Sequence, residues 1–479
     1  MHCHHLQRAV AVAVALFATA CTSVGPDYVP SEPKLAPAWV QAREAGLVEG
    51  PVADAPFWHA FADPLLTQLV EQALAANLDL RGAYARLASA RALRGVAEAG
   101  AWPTLDGRGS YENRKESRNT PFGRFIPRTD IHSIGVDAAW ELDLWGRVRR
   151  SVEAAERDLD ASDADVQGAR LTVATEVVST YVDLRAAQRR LAIAAANLAL
   201  QEQTLGLVRA RLDAGLVIER DVAQAATNVE STRSRLPMIE AEAIAAQHRL
   251  AVLLGRAPGD LPAEVAATGA MPTLPLQVAV GVPADLLRRR PDVRAAERRF
   301  AAEVARVGIA EADRYPRFSL VGSLGIAANS ADGLFQNGSD GRSFGPSLRW
   351  SLFDGGRLKQ RVRSLEASAE AAQIGWEQTV LLALEEAENA MTGFVRQQSR
   401  RASLQRAAAQ ARRAVELTQS QYRSGLSDFQ SVIDSERTVA VVEDDLVGSE
   451  AAIAGSLVSI WKALGGGVEP ASAAAVAGG

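Results

Sequence analysis

The chain has 479 residues, of which tryptophan, tyrosine and phenylalanine make up only 5%. A formal net charge of −5 at pH 7 and a pI near 5.8 give no support to nucleic-acid binding. Alanine, arginine and glutamate are abundant, which favours long helices over a thick globular core. The only cysteines, Cys3 and Cys21, lie near the N-terminus, so disulfide and thiol chemistry are excluded from the rest of the chain.

The N-terminal segment has the pattern of a secretory signal peptide, which we assign to residues 1–20. The run from Ala9 to Ala20 is nearly all apolar, but it is too short to cross a bilayer as a helix. The sequence Ala-Thr-Ala before Cys21 suits ordinary signal cleavage, and it also suits lipoprotein processing, which would acylate Cys21. The cluster HCHH at residues 2–5 belongs to the segment that would be removed, so we assign no metal site there.

A duplication with a period of 210 residues organises the chain. Trp140 begins WELDLWGRV and Trp350 begins WSLFDGGRL, and in both copies an alternating pattern changes to a helical one after a Gly-Arg pair. The predicted segments are an extended, lipid-anchored segment with little core (21–61), a first repeat (62–257), an equatorial connector (258–285), a second repeat (286–465) and a disordered tail (466–479).

Each repeat contains a predicted β-hairpin with one apolar and one polar face, at residues 104–142 and 317–353. Four residues mark the expected junctions between these strands and the helices: Pro103, Pro316, Gly146 and Gly356. Each strand has about ten residues, the length that a tilted strand needs to cross an outer membrane. Two hairpins packed on a soluble core are the alternative.

The connections within the hairpins favour the membrane. Residues 113–132 and 327–342 form long polar loops, unlike the tight turns of soluble hairpins, and outer-membrane barrels have long external loops. Four strands cannot close a barrel, because about eight or more are needed and open edges are not tolerated in lipid. Chains must therefore associate, and two, three or four copies would give eight, twelve or sixteen strands.

Long helical hairpins follow the strands, at residues 147–255 and 357–464. Apolar residues recur at every seventh position, which indicates helices supercoiled against neighbours. The first helix runs for about 66 residues without a break, or about 100 Å. Gly215 and Gly425 mark the turns, and Pro237 predicts a kink in the returning helix. A coiled-coil rod is the alternative.

No enzyme, cofactor or metal motif is recognisable in the sequence. The histidines after the signal segment lie far apart: His59, His132 and His248. Two acidic groups would suit acid–base pairs, Asp434 with Glu436, and Glu385 with Glu386 and Glu388. Acidic residues on helices this charged are usually solvated, so we expect neither an enzyme nor a bound cofactor or metal.

Five stretches, in order and across nearly the whole chain, carry a family resemblance. They are WELDLWGRV from Trp140, LLRRRPDVRAAE from Leu286, YPRFSL from Tyr315, WSLFDGGRL from Trp350 and YRSGLSDFQSVIDSER from Tyr422. They resemble the outer-membrane factor family of TolC-like channels. CTSVGPDYVP from Cys21 is similar to the start of mature efflux lipoproteins of the NodT/OprM type in that family.

The resemblance implies a mainly α fold with a membrane β-barrel. Three identical chains would form a 12-stranded β-barrel, four strands from each, continuous with a trimeric α-barrel of long coiled-coil helical hairpins. This homotrimer would be the passive exit duct of a tripartite pump for small molecules such as drugs and toxic compounds. It would sit in outer-membrane lipid, anchored through Cys21, extend into the periplasm, and work with a periplasmic adaptor and an inner-membrane transporter. A periplasmic coiled-coil scaffold and an exit duct for type I protein secretion are the alternatives.

The resemblance also implies a periplasmic gate at the helix tips. An aspartate and an arginine three residues later contribute to the closed aperture in the family, and they correspond to Asp434 and Arg437. Gln430 stands where the family often has leucine. An ordinary Asp–Arg ion pair within one helix is the alternative interpretation. The expected adaptor contacts are the turn residues Gly215, Leu216, Gly425 and Leu426.

Overall fold

The computed structural model describes residues 23–30, 33, 35–41, 46–48, 50, 56–121, 123–125, 127–275 and 277–466. The expected signal peptide, Cys21 and the expected tail after Gly466 lie outside these residues. The chain divides into two compact units. The first unit comprises the described part of residues 1–32 with Arg86–Ser162 and Ala295–Trp376, and the second comprises the described parts of residues 33–85, 163–294 and 377–479.

Helices dominate the described part of the chain. They are α1 (Pro64–Ala76), α2 (Leu78–Ala99), α3 (Arg147–Asp213), α4 (Glu219–Arg233), α5 (Leu236–Leu253), α6 (Ala263–Ala266), α7 (Leu286–Arg289), α8 (Pro291–Ala312), α9 (Arg357–Arg423) and α10 (Phe429–Ala463). Pro64 and Pro291 each begin a helix, where a missing N–H removes no intrahelical hydrogen bond. The Asp63 carboxylate caps α1 by accepting a hydrogen bond of 3.1 Å from the Leu66 N–H.

The duplication is visible in the helix boundaries. Helices α3 and α9 each have 67 residues, and both their starts (147 and 357) and their ends (213 and 423) are 210 residues apart. Helices α4 and α10 also begin 210 residues apart, at 219 and 429. A helix of 67 residues is about 100 Å long at about 1.5 Å per residue. The predicted long helices and internal duplication are confirmed.

The two returning helices differ at one proline. The second repeat returns in the single helix α10, whereas the first is interrupted between Arg233 and Leu236. Pro237 explains the interruption, because its ring clashes with the carbonyl four residues earlier, at Arg233, and it has no N–H to donate. The structure therefore shows a break between α4 and α5 at the place where a kink was predicted.

The first unit contains a four-stranded antiparallel sheet. Its strands are β2 (Thr104–Arg114), β3 (Thr129–Leu142), β5 (Arg317–Ala328) and β6 (Asp340–Arg349), in the spatial order β2-β3-β5-β6. The second unit contains a parallel pair of two-residue strands, β1 (Leu47–Val48) and β4 (Val278–Ala279). In the large sheet, the two hairpins meet through β3 and β5, where Val136 pairs with Leu324.

The last strand differs from its expected position. We expected a loop up to Arg342 and a hairpin that ends at residue 353, but β6 begins at Asp340, opposite Ile326, and ends at Arg349. The loop is shorter because a 3₁₀ turn at Ala331–Gly333 reverses the chain and lets the ladder start early.

The N-terminal segment of the second unit contributes more to the core than we expected. Trp39 is buried and its indole N–H donates a hydrogen bond of 3.0 Å to the Val280 carbonyl. Leu47 is buried in the β1–β4 pair, and the Phe57 ring stacks on Trp461 with centroids 5.4 Å apart. The expectation of little core was wrong, because large apolar side chains in this proline-rich segment find partners in the connector and in α10.

Candidate functional site

One face of the sheet is apolar along most of each strand, and Asp340 and Arg342 lie on it only at the loop end of β6. The strand register brings together Leu105 on β2, Ile134, Val136, Ala138 and Trp140 on β3, Phe318, Leu320, Leu324 and Ile326 on β5, and Phe344, Pro346 and Leu348 on β6. These side chains are largely uncovered in the single chain, as shown by Leu105 at 74% and Phe344 at 82% exposure. Hairpins packed on a soluble core would bury such a face, so the structure does not support that alternative.

The opposite face of the sheet is polar. Arg108 on β2 forms an ion pair of 3.2 Å with Asp137 on β3. The hydroxyl oxygens of Ser110 and Ser133 lie 2.8 Å apart across the same two strands. One side of the sheet therefore suits lipid and the other suits water, as in a membrane-spanning barrel.

The size and edges of the sheet are those of an open barrel segment. The apolar stretch from Phe318 to Ile326 covers eight steps along β5, or about 26 Å at about 3.3 Å per residue, close to the apolar band of an outer-membrane barrel. Among the strands that the structure describes, β2 and β6 each pair with only one neighbour, so both outer edges carry unpaired backbone groups. Such edges are not stable in lipid.

The junctions from strand to helix follow one design in both repeats. Gly146 and Gly356 precede α3 and α9 with φ of +81° and +86°, which favours glycine. Asp143 accepts hydrogen bonds from the Val148 and Arg149 N–H groups at 3.0 and 2.9 Å. Asp354 does the same for Gly356 and Leu358, both at 2.9 Å. These caps were not predicted, although an aspartate stands three residues before Gly146 and two before Gly356, which is a helix-start signal in the sequence.

The opposite junctions contain the two expected prolines. Pro103 lies between α2 and β2, and Pro316 lies between α8 and β5. Tryptophans from the repeated motifs form hydrogen bonds to these junctions. The indole N–H of Trp140 donates to the Ala101 carbonyl at 2.9 Å, and that of Trp350 donates to the Arg314 carbonyl at 3.2 Å. Trp145 additionally donates to the Pro316 carbonyl at 2.9 Å and so joins the two repeats.

The first described residues after Cys21 run along the same junction. The Val24 N–H donates to the Trp145 carbonyl at 3.1 Å, and the carboxylate of Asp27 lies 2.5 Å from the buried Arg150 guanidinium. A Cβ on Gly146 would lie 2.8 Å from the Ser23 Cα, so the two backbones are in direct contact. The chain two residues after Cys21 is therefore held where β3 passes into α3.

The second unit contains both helix turns. Gly215 and Gly425 have φ of +68° and +74° and end α3 and α9. The backbone N–H of Leu216 donates to the Arg211 carbonyl, and the backbone N–H of Leu426 donates to the Gln421 carbonyl, both at 2.9 Å. The two leucine side chains project outward, at 67% and 81% exposure.

An apolar cluster holds the four helices together next to these turns. Its buried members are Leu205, Val208, Ala225, Val229, Tyr422, Phe429, Val432 and Ile433, from α3, α4, α9 and α10. The Arg211 guanidinium lies over the Tyr422 ring, 4.5 Å from its centroid, and donates to the Tyr422 carbonyl at 2.6 Å. We call this cluster, together with the two turns, the tip. The tip is thus a small packed core with a fixed arrangement of its helices.

The expected gate residues lie on α10 close to this core. The Gln430 amide donates to the Asp434 carboxylate at 2.9 Å, on the exposed side of the helix. Arg437 does not pair with Asp434; its Nε donates to Asn228 Oδ1 on α4 at 3.4 Å. The simple ion pair within one helix is therefore absent from the described structure.

Glu436 is not on a solvated face, and that expectation was wrong. It is 2% exposed and accepts hydrogen bonds from three neutral donors on three other helices. The Thr204 hydroxyl and the Gln419 amide donate to Oε1 at 2.8 and 3.2 Å, and the Asn228 amide donates to Oε2 at 3.4 Å. Burial raises the pKa of the Glu436 carboxyl, although the bonds from Thr204 and Gln419 act in the opposite direction.

The other acidic group has structural partners. Glu386 lies 2.8 Å from the guanidinium of Arg290, a buried residue that also pairs with Asp292 at 2.6 Å. Glu388 accepts a hydrogen bond of 2.8 Å from the Val40 N–H. These contacts assign Glu386 and Glu388 to the packing of the second unit, whereas Glu385 is exposed.

Comparison with known proteins identifies the family. A model of the outer membrane efflux protein family matches residues 69–256 and 282–466. The chain belongs to the outer membrane efflux protein family. The two matched segments fall on the two repeats, and the fold is that of TolC-like channels, a helical barrel and a β-barrel.

Relatives within the family match most of the length of the chain. Nodulation protein T of Rhizobium leguminosarum bv. trifolii is 34% identical over 456 residues, covering 94% of this chain and 96% of the relative. The toluene efflux pump outer membrane protein TtgI of Pseudomonas putida is 31% identical, covering 85% and 86%. The solved outer-membrane channel OprN superimposes with a TM-score of 0.87 at 38% identity, covering 93% and 99%. The chain is an efflux channel of the outer membrane.

Proposed function

We propose that three copies of the chain form one closed channel, the passive exit duct of a tripartite efflux pump. The observation that carries this proposal is the open sheet with one apolar face and two unpaired edges. Three copies of four strands make twelve, within the range of known outer-membrane barrels. Strands β2 and β6 run in opposite directions, so β6 of one copy can pair with β2 of the next and keep the barrel antiparallel.

The proposed duct supplies a path and carries out no chemical step. The family is one of channel proteins, and a channel needs no energy source when an inner-membrane transporter drives export and a periplasmic adaptor joins the two. Small molecules are the proposed cargo, in line with the relative named as part of a toluene efflux pump. A homotrimer extracted in detergent, with a mass of three chains, is the expected result; a monomer soluble without detergent would contradict it.

A lipid anchor on Cys21 is part of this proposal. Ser23 touches Gly146 at the periplasmic end of β3, so acyl chains two residues earlier would reach the membrane leaflet beside the barrel. Labelling cells with radioactive palmitate tests the anchor. Wild type should carry label and Cys21→Ser should not; equal labelling of the two would refute acylation at this residue.

The gate is proposed at Asp434 and Arg437 on α10. Single-channel recordings in planar bilayers should show larger conductance steps for Asp434→Ala and Arg437→Ala than for wild type, because a charged constriction is removed. The repeat-equivalent exposed positions, Gln224 and Thr227 on α4, supply matched controls whose alanine variants should conduct like wild type. A scaffold protein would give no conductance at all.

The exposed leucines of the two turns are the proposed adaptor contacts. Leu216→Asp and Leu426→Asp should prevent recovery of the adaptor in cross-linking experiments in cells while leaving conductance of the purified channel unchanged. That combination separates docking from gating. Normal adaptor cross-linking by the double variant would contradict the assignment.

A further inference from the structure

A buried carboxylate in the tip lies next to the proposed gate and has no cationic partner among the described residues. Glu436 occupies a core position of the α10 heptad, four residues after Val432 and three before Val439, where an apolar residue is expected. Within the described part of the chain, all its hydrogen bonds come from neutral groups. An apolar residue at such a position is often at least as stable as a buried charge, so packing alone does not account for Glu436.

The contacts of Asn228 show what the carboxylate can do. Asn228 is itself buried, and its side-chain amide lies between Glu436 and Arg437. Its Nδ2 donates to Glu436 Oε2 and its Oδ1 accepts from Arg437 Nε, both at 3.4 Å. A carboxylate only accepts hydrogen bonds, so it selects the amide orientation that turns Nδ2 towards Glu436. The same orientation leaves the oxygen for Arg437, which only donates.

We propose that Glu436 is a positioning residue for the gate: through the amide of Asn228 it fixes the guanidinium of Arg437 at the helix tip. This inference rests on the proposed gate at Arg437. This relay, formed by Glu436, Asn228 and Arg437, joins α10 to α4. The hydrogen bonds from Thr204 on α3 and Gln419 on α9 hold the carboxylate in place. Opening that separates these helices must break it.

Charged residues near the relay have partners outside it. On α3 and α4, Glu202 pairs with Arg233 at 2.6 Å, and Arg211 is engaged with Tyr422. On α10, Asp434 accepts from Gln430 instead of Arg437. The repeat-equivalent of Glu436 is Ala226, so the duplication does not reproduce the relay in the first hairpin.

Two isosteric substitutions test the relay. In Glu436→Gln the two donors at the Oε1 position, Thr204 and Gln419, favour the amide oxygen there, which turns the new NH₂ group towards Nδ2 of Asn228. Two donors then oppose each other, and any flip of Asn228 turns a donor towards Arg437. In Asn228→Asp two carboxylates face each other. Each single variant should raise the ratio of open to closed time in planar bilayers roughly tenfold, the change that corresponds to about 1.4 kcal/mol and to the loss of one hydrogen bond to a charged group.

The double variant Glu436→Gln with Asn228→Asp restores every donor–acceptor pair with reversed polarity. The amide introduced on α10 would donate to one oxygen of the carboxylate introduced on α4, and the other carboxylate oxygen would accept from Arg437. The open-to-closed ratio of the double variant should return to within about twofold of wild type. Thr227→Ala, one residue from Asn228 and exposed, is the control and should behave as wild type.

The outcomes separate the relay from the gate. If Arg437→Ala leaves conductance unchanged, the gate proposal fails and the relay with it. If Arg437→Ala opens the channel but Glu436→Gln and Asn228→Asp do not, the relay is refuted and the gate stands. If both single variants raise the open-to-closed ratio and the double variant does not restore it, the substitutions have loosened the tip in general. That result also overturns the relay.

Discussion

The apolar face of the sheet predicts a large penalty for one substitution, Val136→Arg. Val136 lies near the middle of β3, is 40% exposed, and is flanked across the strands by Gly107 and Leu324. Because it is already uncovered in the chain, replacing it in a water-soluble sheet would cost within about 0.5 kcal/mol. Val136 lies two residues from the centre of the apolar stretch, which is level with Gly322. Against lipid at that depth arginine costs about 1–4 kcal/mol in each chain, so the free energy of unfolding reports directly on the environment of this face.

Ser323→Arg is the matched control for this substitution. Ser323 lies on β5 opposite Asp137, one residue pair away in depth but on the polar face. The new arginine can pair with Asp137 and should change stability little. The assay is denaturant unfolding of protein refolded into lipid vesicles. Equal destabilisation by Val136→Arg and Ser323→Arg would refute the assignment of the two faces.

Three further substitutions or conditions have defined outcomes. Gly425→Ala should destabilise the tip by about 1–2 kcal/mol, because φ is +74° there, a conformation that costs energy for alanine. As a control, Gly448→Ala within α10 should be neutral or stabilising by up to about 1 kcal/mol. Hydrogen exchange of the tip amides measures both effects. Trp145→Phe should keep the ring but lose the bond to Pro316, lowering the free energy of unfolding by about 1 kcal/mol; an unchanged value would contradict the role of that bond. Since burial raises the pKa of Glu436, its contribution to tip stability is fully present below the ordinary carboxyl pKa and is lost as pH rises through the raised value. Exchange protection of the tip should fall over that interval, and Glu436→Gln should remove the dependence.

Much of the fold follows from periodicity in the sequence. Strict alternation identified the strands, because successive side chains on a strand point to opposite faces. Sustained heptads and the turn glycines Gly215 and Gly425 identified the long helices and their ends. The start of β6 at Asp340 was missed, because a polar stretch gives the same signal whether it is a loop or the end of a ladder.

The contacts at the tip could not be deduced from spacing along the chain. Arg437 bonds to Asn228, 209 residues earlier, a contact that depends on how two hairpins pack. Glu436 carried a signal that was overlooked, since a charged residue stood at an apolar heptad position. The many charged residues near Glu436 in the sequence suggested a solvated position, whereas the packing of four helices buries its side chain.

Sister chains that close one barrel would meet through β2 and β6, and disulfide cross-linking between these two strands tests the closure most directly. No cysteine occurs after Cys21, so engineered pairs give an unambiguous signal. Asp106→Cys on β2 would be combined in turn with Ser343→Cys, Gly345→Cys and Ser347→Cys on β6, all on the polar face. Oxidation in native outer membranes should give a covalent species with the mass of three chains for one of these registers. Species of only two chains, or no cross-link for any pair, would contradict the twelve-stranded closure.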